Sequence, residues 1–191
     1  MKLFNEQGQR KYLNAAERKA FKSATEKQPR EVRTFCLVLY YTGCRVSEAL
    51  ALTPERIDLE ECTITFESLK KRKNGVFRAV PVPSSLIDIL DLVHGLREAA
   101  RDKQNKRLFP WSRMTAYRKV KSVMETAELD GVKATPKGLR HAFGIACNQK
   151  GVQLNMAQRW LGHADIRTTA IYSDAVGQEE RNVAERLWED E

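Results

Sequence analysis

Apolar residues recur at helical spacing along most of the chain. Val32, Phe35, Cys36, Leu39 and Tyr40 fall on one side of a helix that starts near Glu31. That pattern stops at Thr42-Gly43, where Gly43 suits a left-handed cap. An earlier helix begins at Asn14: Asn14 and Glu17 make a variant capping box, and Ala20, Phe21 and Ala24 continue its apolar side. A short helix carrying Val46, Ala49 and Leu50 is expected before Thr53-Pro54. From Cys62 the period changes to two. Residues 63–66 alternate, residues 76–80 alternate again, and Asn74-Gly75 between them is a hairpin turn signal. The expected product is a two-stranded ribbon with a basic tip, Lys70-Lys71-Arg72-Lys73, ended by Pro81 and Pro83.

Helical spacing returns after Ser84, with Leu86, Ile89, Leu90 and Val93 on one side. A loop at residues 108–111 leads to another helix bearing Met114, Tyr117, Val120, Val123, Met124 and Ala127. Thr135-Pro136 marks a helix start, because proline fits the first turn; this helix runs through Lys137, Arg140 and Phe143 to a stop near Gly151. Shorter helices are expected over about residues 155–161 and 168–174. The tail at 178–188 is charged on one side, with Val183, Leu187 and Trp188 apolar. No internal repeat, low-complexity tract or long linker interrupts the pattern. The fold class is therefore mostly α with a small antiparallel β-sheet (α+β), in a single domain over 1–191.

Composition narrows the function. The chain has 191 residues, 42% hydrophobic and 30% charged, a globular balance. No apolar run approaches the roughly 20 residues that span a bilayer, and no secretory signal opens the chain, so a cytoplasmic protein with no membrane partner is expected. The net charge of +8 favours polyanions, nucleic acid first, through release of their condensed counterions. Cys36, Cys44, Cys62 and Cys147 are scattered, and the three histidines lack H-E-x-x-H spacing. Neither a metal nor another cofactor is signalled.

Four groups of residues are candidates for chemistry. Arg45 follows the Gly43 turn and opens a helix, where the dipole is already positive; a second positive source there makes sense if an anion binds. A surface arginine paired with Glu48 accounts for the same residues. Lys137 and Arg140, three apart, project from the first turn of one helix, and a bound phosphate would relieve their repulsion. A solvated basic edge is the alternative. His141 points elsewhere, as a buried, hydrogen-bonded histidine. His163 follows a glycine cap, and Tyr172 lies in the next helical segment. A tyrosine at such spacing usually serves packing, and a phenol with a pKa near 10 is a poor nucleophile unless cations favour the phenolate.

Together these stretches resemble the tyrosine recombinase, or phage integrase, family. Thr42-Gly43-Cys44-Arg45-Val46-Ser47-Glu48, the hairpin at Lys70, Lys137-Gly138-Leu139-Arg140-His141, Leu161-Gly162-His163 and Thr169-Ala170-Ile171-Tyr172 stand in the family's order. The resemblance implies the family's catalytic-domain fold and a site-specific DNA recombinase or integrase of a mobile or chromosomal element. Arg45 and Arg140 would clamp the scissile phosphate. Tyr172 would attack it, giving a 3′-phosphotyrosyl bond and a free 5′-hydroxyl, without metal or ATP. A hairpin lysine would protonate the leaving oxygen; Lys70 is preferred over Lys73, and Lys71 comes third. Lys137 would stand where the family commonly has histidine, His163 would support acid–base chemistry or bind phosphate, and Glu48 would orient Arg45.

The resemblance also implies partners: double-stranded DNA, a homo-tetramer formed on it with the 178–191 helix docking in trans, DNA-bending accessory proteins, and a nucleoid location. Two departures stand out. Lysine at 137 is no near-neutral base unless its pKa is lowered. The family's helical core-binding domain is not found ahead of Glu31, so the chain reads either as a fragment or as a short recombinase. A type IB topoisomerase-like nicking-resealing enzyme, or a non-catalytic DNA-binding accessory factor, are the alternative functions.

Overall fold

The computed structural model describes residues 2–68, 75–101 and 106–174. Helix α1 (Ala15–Thr25) opens on the expected capping box: the Asn14 side chain accepts from the Glu17 N–H at 2.8 Å, and the Glu17 carboxylate accepts from the Asn14 N–H at 2.8 Å. Helix α2 (Arg30–Thr42) ends at Gly43, whose φ of +59° is the left-handed cap. A Cβ at Gly43 would come within 2.5 Å of the Phe143 ring, so glycine is needed for packing as well as for conformation. Helix α3 (Val46–Leu50) follows directly.

The sheet has three antiparallel strands, one more than the ribbon expected from alternation. Strand β1 (Ile57–Asp58) pairs with β2 (Thr63–Glu67), which pairs with β3 (Phe77–Pro81) in the register Phe66 to Arg78. Two residues are too few to show a period, which is why β1 escapes a pattern search. The hairpin tip with Lys70, Lys71 and Lys73 lies outside the described residues.

Helix α4 (Ser84–His94) buries Leu86, Ile87 and Leu90, while Ile89 and Val93 are only partly covered. The short α5 (Leu96–Arg101), not anticipated, continues from the Gly95 cap. Helix α6 (Arg113–Thr126) buries Ala116, Val120, Val123 and Met124. The buried side is narrower than the apolar spacing predicts: Met114 is 60% and Tyr117 40% exposed, because the first turn of α6 projects past the core. Helix α7 (Pro136–Gln149) starts as expected, with Thr135 accepting from the Gly138 N–H at 3.0 Å. Helices α8 (Leu154–Leu161) and α9 (Arg167–Ala170) follow, and α9 runs into a 3-10 turn at Ile171–Asp174.

Two apolar clusters share α7 as their partition. The larger gathers α2, α4, α6 and the sheet, with Phe35, Val38, Ile64, Leu90, Phe109 and Val120 fully covered. The smaller joins the N-terminal segment to α7 and α8 through Leu3, Tyr12, Phe143, Ile145, Leu161 and Tyr172. Helix α7 is buried all round over residues 138–145, so a polar side chain there needs partners inside the protein. Among the described residues no helix is long and apolar enough to cross a membrane.

Candidate active site

The turn that ends α2 sets the first cation. Thr42 Oγ1 donates to the Val38 carbonyl at 2.7 Å and accepts from the Cys44 N–H at 3.2 Å, fixing the chain as it leaves Gly43. Arg45 then becomes the N-cap of α3. Its backbone N–H donates to Glu48 Oε2 and its Nη1 to Glu48 Oε1, both at 2.8 Å. Pairing with Glu48 and facing an anion turn out to be compatible: the Arg45 side chain keeps 25% exposure and lines a cleft. Burial pushes the Glu48 carboxyl up, but the hydrogen bond and charge of Arg78, with the N–H and charge of Arg45, outweigh it and hold it below its usual value.

Arg140 projects from α7 into the protein. Its Nη1 donates to the Gly43 carbonyl and its Nη2 to the Leu161 carbonyl, each at 2.7 Å. Neutral carbonyls orient a guanidinium without cancelling its charge. Burial first, then repulsion by Arg45, lowers its pKa to about 10, which leaves it cationic at neutral pH. Lys137, one turn earlier, is exposed. Arg45, Lys137, Arg140 and His163 all line one cleft of about 720 Å³.

Lys11 and Arg113 line it too, and neither was apparent from the sequence. The N-terminal segment, closed by a bridge between Phe4 and Arg10, delivers Lys11; the first turn of α6 delivers Arg113 and Tyr117. Both cations sit far in sequence from the stretches that resemble the family. Only the packing of their elements brings them in.

Gly162, at φ +67°, caps α8 and turns the chain so that His163 enters the same cleft. The Nδ1 of His163 is 2.9 Å from Thr169 Oγ1. Burial, followed by the charges of Arg140 and Arg45, depresses its pKa to about 3, so the ring is neutral at ordinary pH.

Tyr172 is close by but is not turned into the cleft. It is 1% exposed, a member of the smaller apolar cluster. Its ring stacks on His163, with centroids 6.2 Å apart and planes 24° apart, and it meets His141 edge-on at 5.8 Å. Its hydroxyl is 3.3 Å from Nδ1 of His141, a buried, hydrogen-bonded histidine as expected. Gly144 makes room for the ring: a Cβ there would lie 2.3 Å from it. Burial pushes the phenol up to about 12. The packing role that such spacing usually signals is the one its surroundings show.

The structure brings four of the six site residues predicted from sequence, Arg45, Lys137, Arg140 and His163, into one cleft and docks Tyr172 behind it. Lys70, with its alternatives Lys71 and Lys73, and the tail at 178–191 lie outside the described residues. Arg78, which ties β3 to Glu48, was missed altogether.

Comparison with known proteins converges on one group. The Phage integrase family matches residues 11–179. Tyrosine recombinase XerA of Pyrococcus furiosus is 31% identical over 164 residues, covering 81% of this chain and 54% of the relative. The chain spans about half the length of the curated relatives it matches. A crystal structure of XerA recombinase superposes with a TM-score of 0.77 at 27% identity, covering 92% of this chain and 64% of that one. XerH site-specific recombinase bound to its difH substrate in a pre-cleavage complex gives 0.74 at 25% identity, over 95% of this chain and 59% of that one. With its fold and most of its length accounted for in this way, the chain belongs to the phage integrase family of tyrosine recombinases.

Proposed function

We propose that this chain carries out the strand cleavage and rejoining of a site-specific DNA recombinase or integrase, through a 3′-phosphotyrosyl intermediate on Tyr172. The observation that carries the reading is the convergence of Arg45, Lys137, Arg140 and His163 on one cleft from three separate parts of the chain. Guanidinium groups grip phosphate oxygens in a fork and stabilise charge that grows on them as phosphorus becomes five-coordinate. Arg45 and Arg140 take that role. Lys137 binds a further phosphate oxygen as a point charge. The likeness to a recombinase held on its DNA supports double-stranded DNA as the partner.

In the reaction the Tyr172 oxygen attacks phosphorus and loses its proton. The bond to the 5′-oxygen breaks, and that oxygen leaves with the electron pair and takes a proton from the hairpin lysine, Lys70. His163 is the acceptor for the phenol proton once Tyr172 has entered the cleft and the bound phosphate offsets the charges of Arg140 and Arg45 that, after burial, depress the ring. The phosphotyrosyl bond stores the energy of the phosphodiester, so a 5′-hydroxyl from another strand reverses the attack without ATP or metal. Exchange between strands requires a tetramer on DNA, for which the 178–191 tail is the candidate link. Attack also requires the Tyr172 ring to leave its pocket behind the cleft.

The test uses a library of nicked duplexes with randomised sequence, incubated with the protein and quenched in SDS. Covalent protein–DNA adducts are expected, enriched in one DNA sequence, and absent with Tyr172→Phe. Duplexes carrying the enriched sequence should then support exchange between two sites. Adducts that give only relaxation of supercoiled DNA, with no exchange, would move the assignment to a topoisomerase-like enzyme. Selective binding with no adduct would move it to an accessory DNA-binding factor.

A further inference from the structure

Three parts of the site meet at a side chain that the proposed chemistry does not use. Arg78 lies in β3 opposite Phe66 and is 8% exposed. Its Nη2 donates to Glu48 Oε2 at 2.7 Å and its Nη1 to Glu48 Oε1 at 3.2 Å. Its Nε donates to the Trp160 carbonyl at 2.7 Å, three residues before His163. The guanidinium lies over the Phe66 ring at 5.2 Å, and a Cβ at Gly162 would come within 2.9 Å of its Cζ. One planar group thus touches the hairpin, the acid that holds Arg45, and the loop that delivers His163.

Stability alone does not explain such a residue. A buried ion pair seldom outperforms apolar side chains of similar volume, because desolvating both charges offsets their attraction. The charge balance around Glu48 suggests a different purpose. Two guanidinium groups, those of Arg45 and Arg78, are paired with one buried carboxylate, while that of Arg140 is held on backbone carbonyls. Glu48 Oε1 accepts from both Arg45 and Arg78. If Arg45 alone had to neutralise that carboxylate, little net charge would remain at the cleft for a phosphate. Arg78 sits on the inner side of Glu48 and supplies the compensating charge from there.

We infer that Arg78 is a positioning residue for strand cleavage: it neutralises Glu48 from within the protein, so that Arg45, while held by Glu48, keeps net positive charge toward the scissile phosphate. The inference rests on the proposed recombinase reading. It deepens that reading by assigning the orientation and effective charge of the phosphate clamp to a residue outside the cleft. Because the phosphate gains negative charge on the way to the transition state, a weaker net charge at Arg45 slows the chemical step more than it weakens DNA binding.

The experiment measures single-turnover adduct formation on nicked duplexes for the wild type, Arg78→Lys, Arg78→Gln and the double variant Arg78→Gln/Glu48→Gln, with a thermal melt of each. Arg78→Gln leaves Glu48 to Arg45 alone, and the cleavage rate constant should fall about 100-fold while half-saturation by DNA shifts less than about fivefold. Arg78→Lys keeps the charge and should stay within about tenfold of wild type. Adding Glu48→Gln removes the surplus carboxylate, so the double variant should cleave at least about tenfold faster than Arg78→Gln. A purely structural role predicts no recovery in the double variant. Recovery that fails to appear, or Arg78→Lys as slow as Arg78→Gln, overturns the inference. If Arg78→Gln does not fold, the rates are read against the wild type: Arg78→Lys slowed more than about tenfold, or a double variant slowed about 100-fold, overturns the inference. A wild type that forms no adduct overturns the recombinase reading and this inference with it; a wild-type adduct with an unimpaired Arg78→Gln overturns this inference alone.

Discussion

The hydroxyl of Tyr172 lies 3.3 Å from Nδ1 of His141, so the proposed nucleophile is held by a histidine on the helix that also carries Arg140. The other nitrogen of His141, Nε2, is buried with no hydrogen-bond partner among the described residues. The phenol is therefore protonated, in an apolar pocket next to the cations of the cleft. Leaving the pocket costs apolar burial and this hydrogen bond. Reaching the cleft exchanges them for the field of Arg45 and Arg140, both of which already act to lower the phenol pKa against the stronger effect of burial.

Gly144 tests that arrangement, because the ring occupies the space where a side chain would be. Gly144→Ala puts a methyl group into the Tyr172 ring. Overpacking costs about 1–3 kcal/mol, of which about 1 kcal/mol is returned by the better helix propensity of alanine. The displaced phenol should titrate below the value of about 12 it has when packed, toward the ordinary 10. Urea denaturation and ultraviolet absorbance titration of the tyrosines measure both. Unchanged stability together with an unchanged titration would mean that the ring is not packed on Gly144.

Acid should loosen the fold through its histidines, chiefly His141 and His163, with His94, whose pKa burial also lowers, acting in the same direction. Burial first, then neighbouring cations, depresses His141 to about 4 and His163 to about 3, whereas an unfolded imidazole titrates near 6.5. Below pH 6.5 the unfolded chain therefore binds more protons than the folded one. The stability contributed by these groups is complete above pH 6.5 and is lost as pH falls toward the folded values. Carboxylates such as Glu48 join only below the ordinary glutamate value of 4.5, so the window from pH 6.5 to about 5 isolates the histidines. The urea midpoint should decline across that window, and His141→Gln should flatten the decline. A level midpoint in the unsubstituted protein would contradict the neutral, buried state of both rings.

The proposed hairpin acid and the proposed phosphate clamp can be separated by leaving-group chemistry. A 5′-bridging phosphorothiolate has a sulfur leaving group that departs without a proton. With that substrate Lys70→Ala should regain most of the wild-type cleavage rate, while Arg45→Ala should remain slow, because its defect is in charge stabilisation. No recovery in Lys70→Ala would pass the acid's role to Lys73 or to water.

Local chemistry made much of the fold legible. The Asn14–Glu17 box, the Gly43 cap and the Thr135-Pro136 start each depend on residues a few positions apart, and each forms as expected. Arg45, Lys137, Arg140 and His163 could be read because their motifs keep a fixed order. Arg78 could not: its partners Glu48 and Trp160 are 30 and 82 residues away, and a single arginine in an alternating strand looks solvent-facing. The docking of Tyr172 was hidden for a different reason. Its receptor is the absence of a side chain at Gly144, and a glycine inside a helix reads only as weak propensity. Tyr117 illustrates the opposite error, an aromatic at core spacing that the tertiary arrangement leaves at the cleft.

The most direct measurement identifies the atom that joins protein to DNA. Adducts trapped on nicked duplexes would be digested with nuclease and protease, and the nucleotide-bearing peptide sequenced by mass spectrometry. The proposed chemistry requires the 3′-phosphate on the peptide containing Tyr172 and no adduct in Tyr172→Phe. A nucleotide on any other residue, or an adduct that survives Tyr172→Phe, would contradict it.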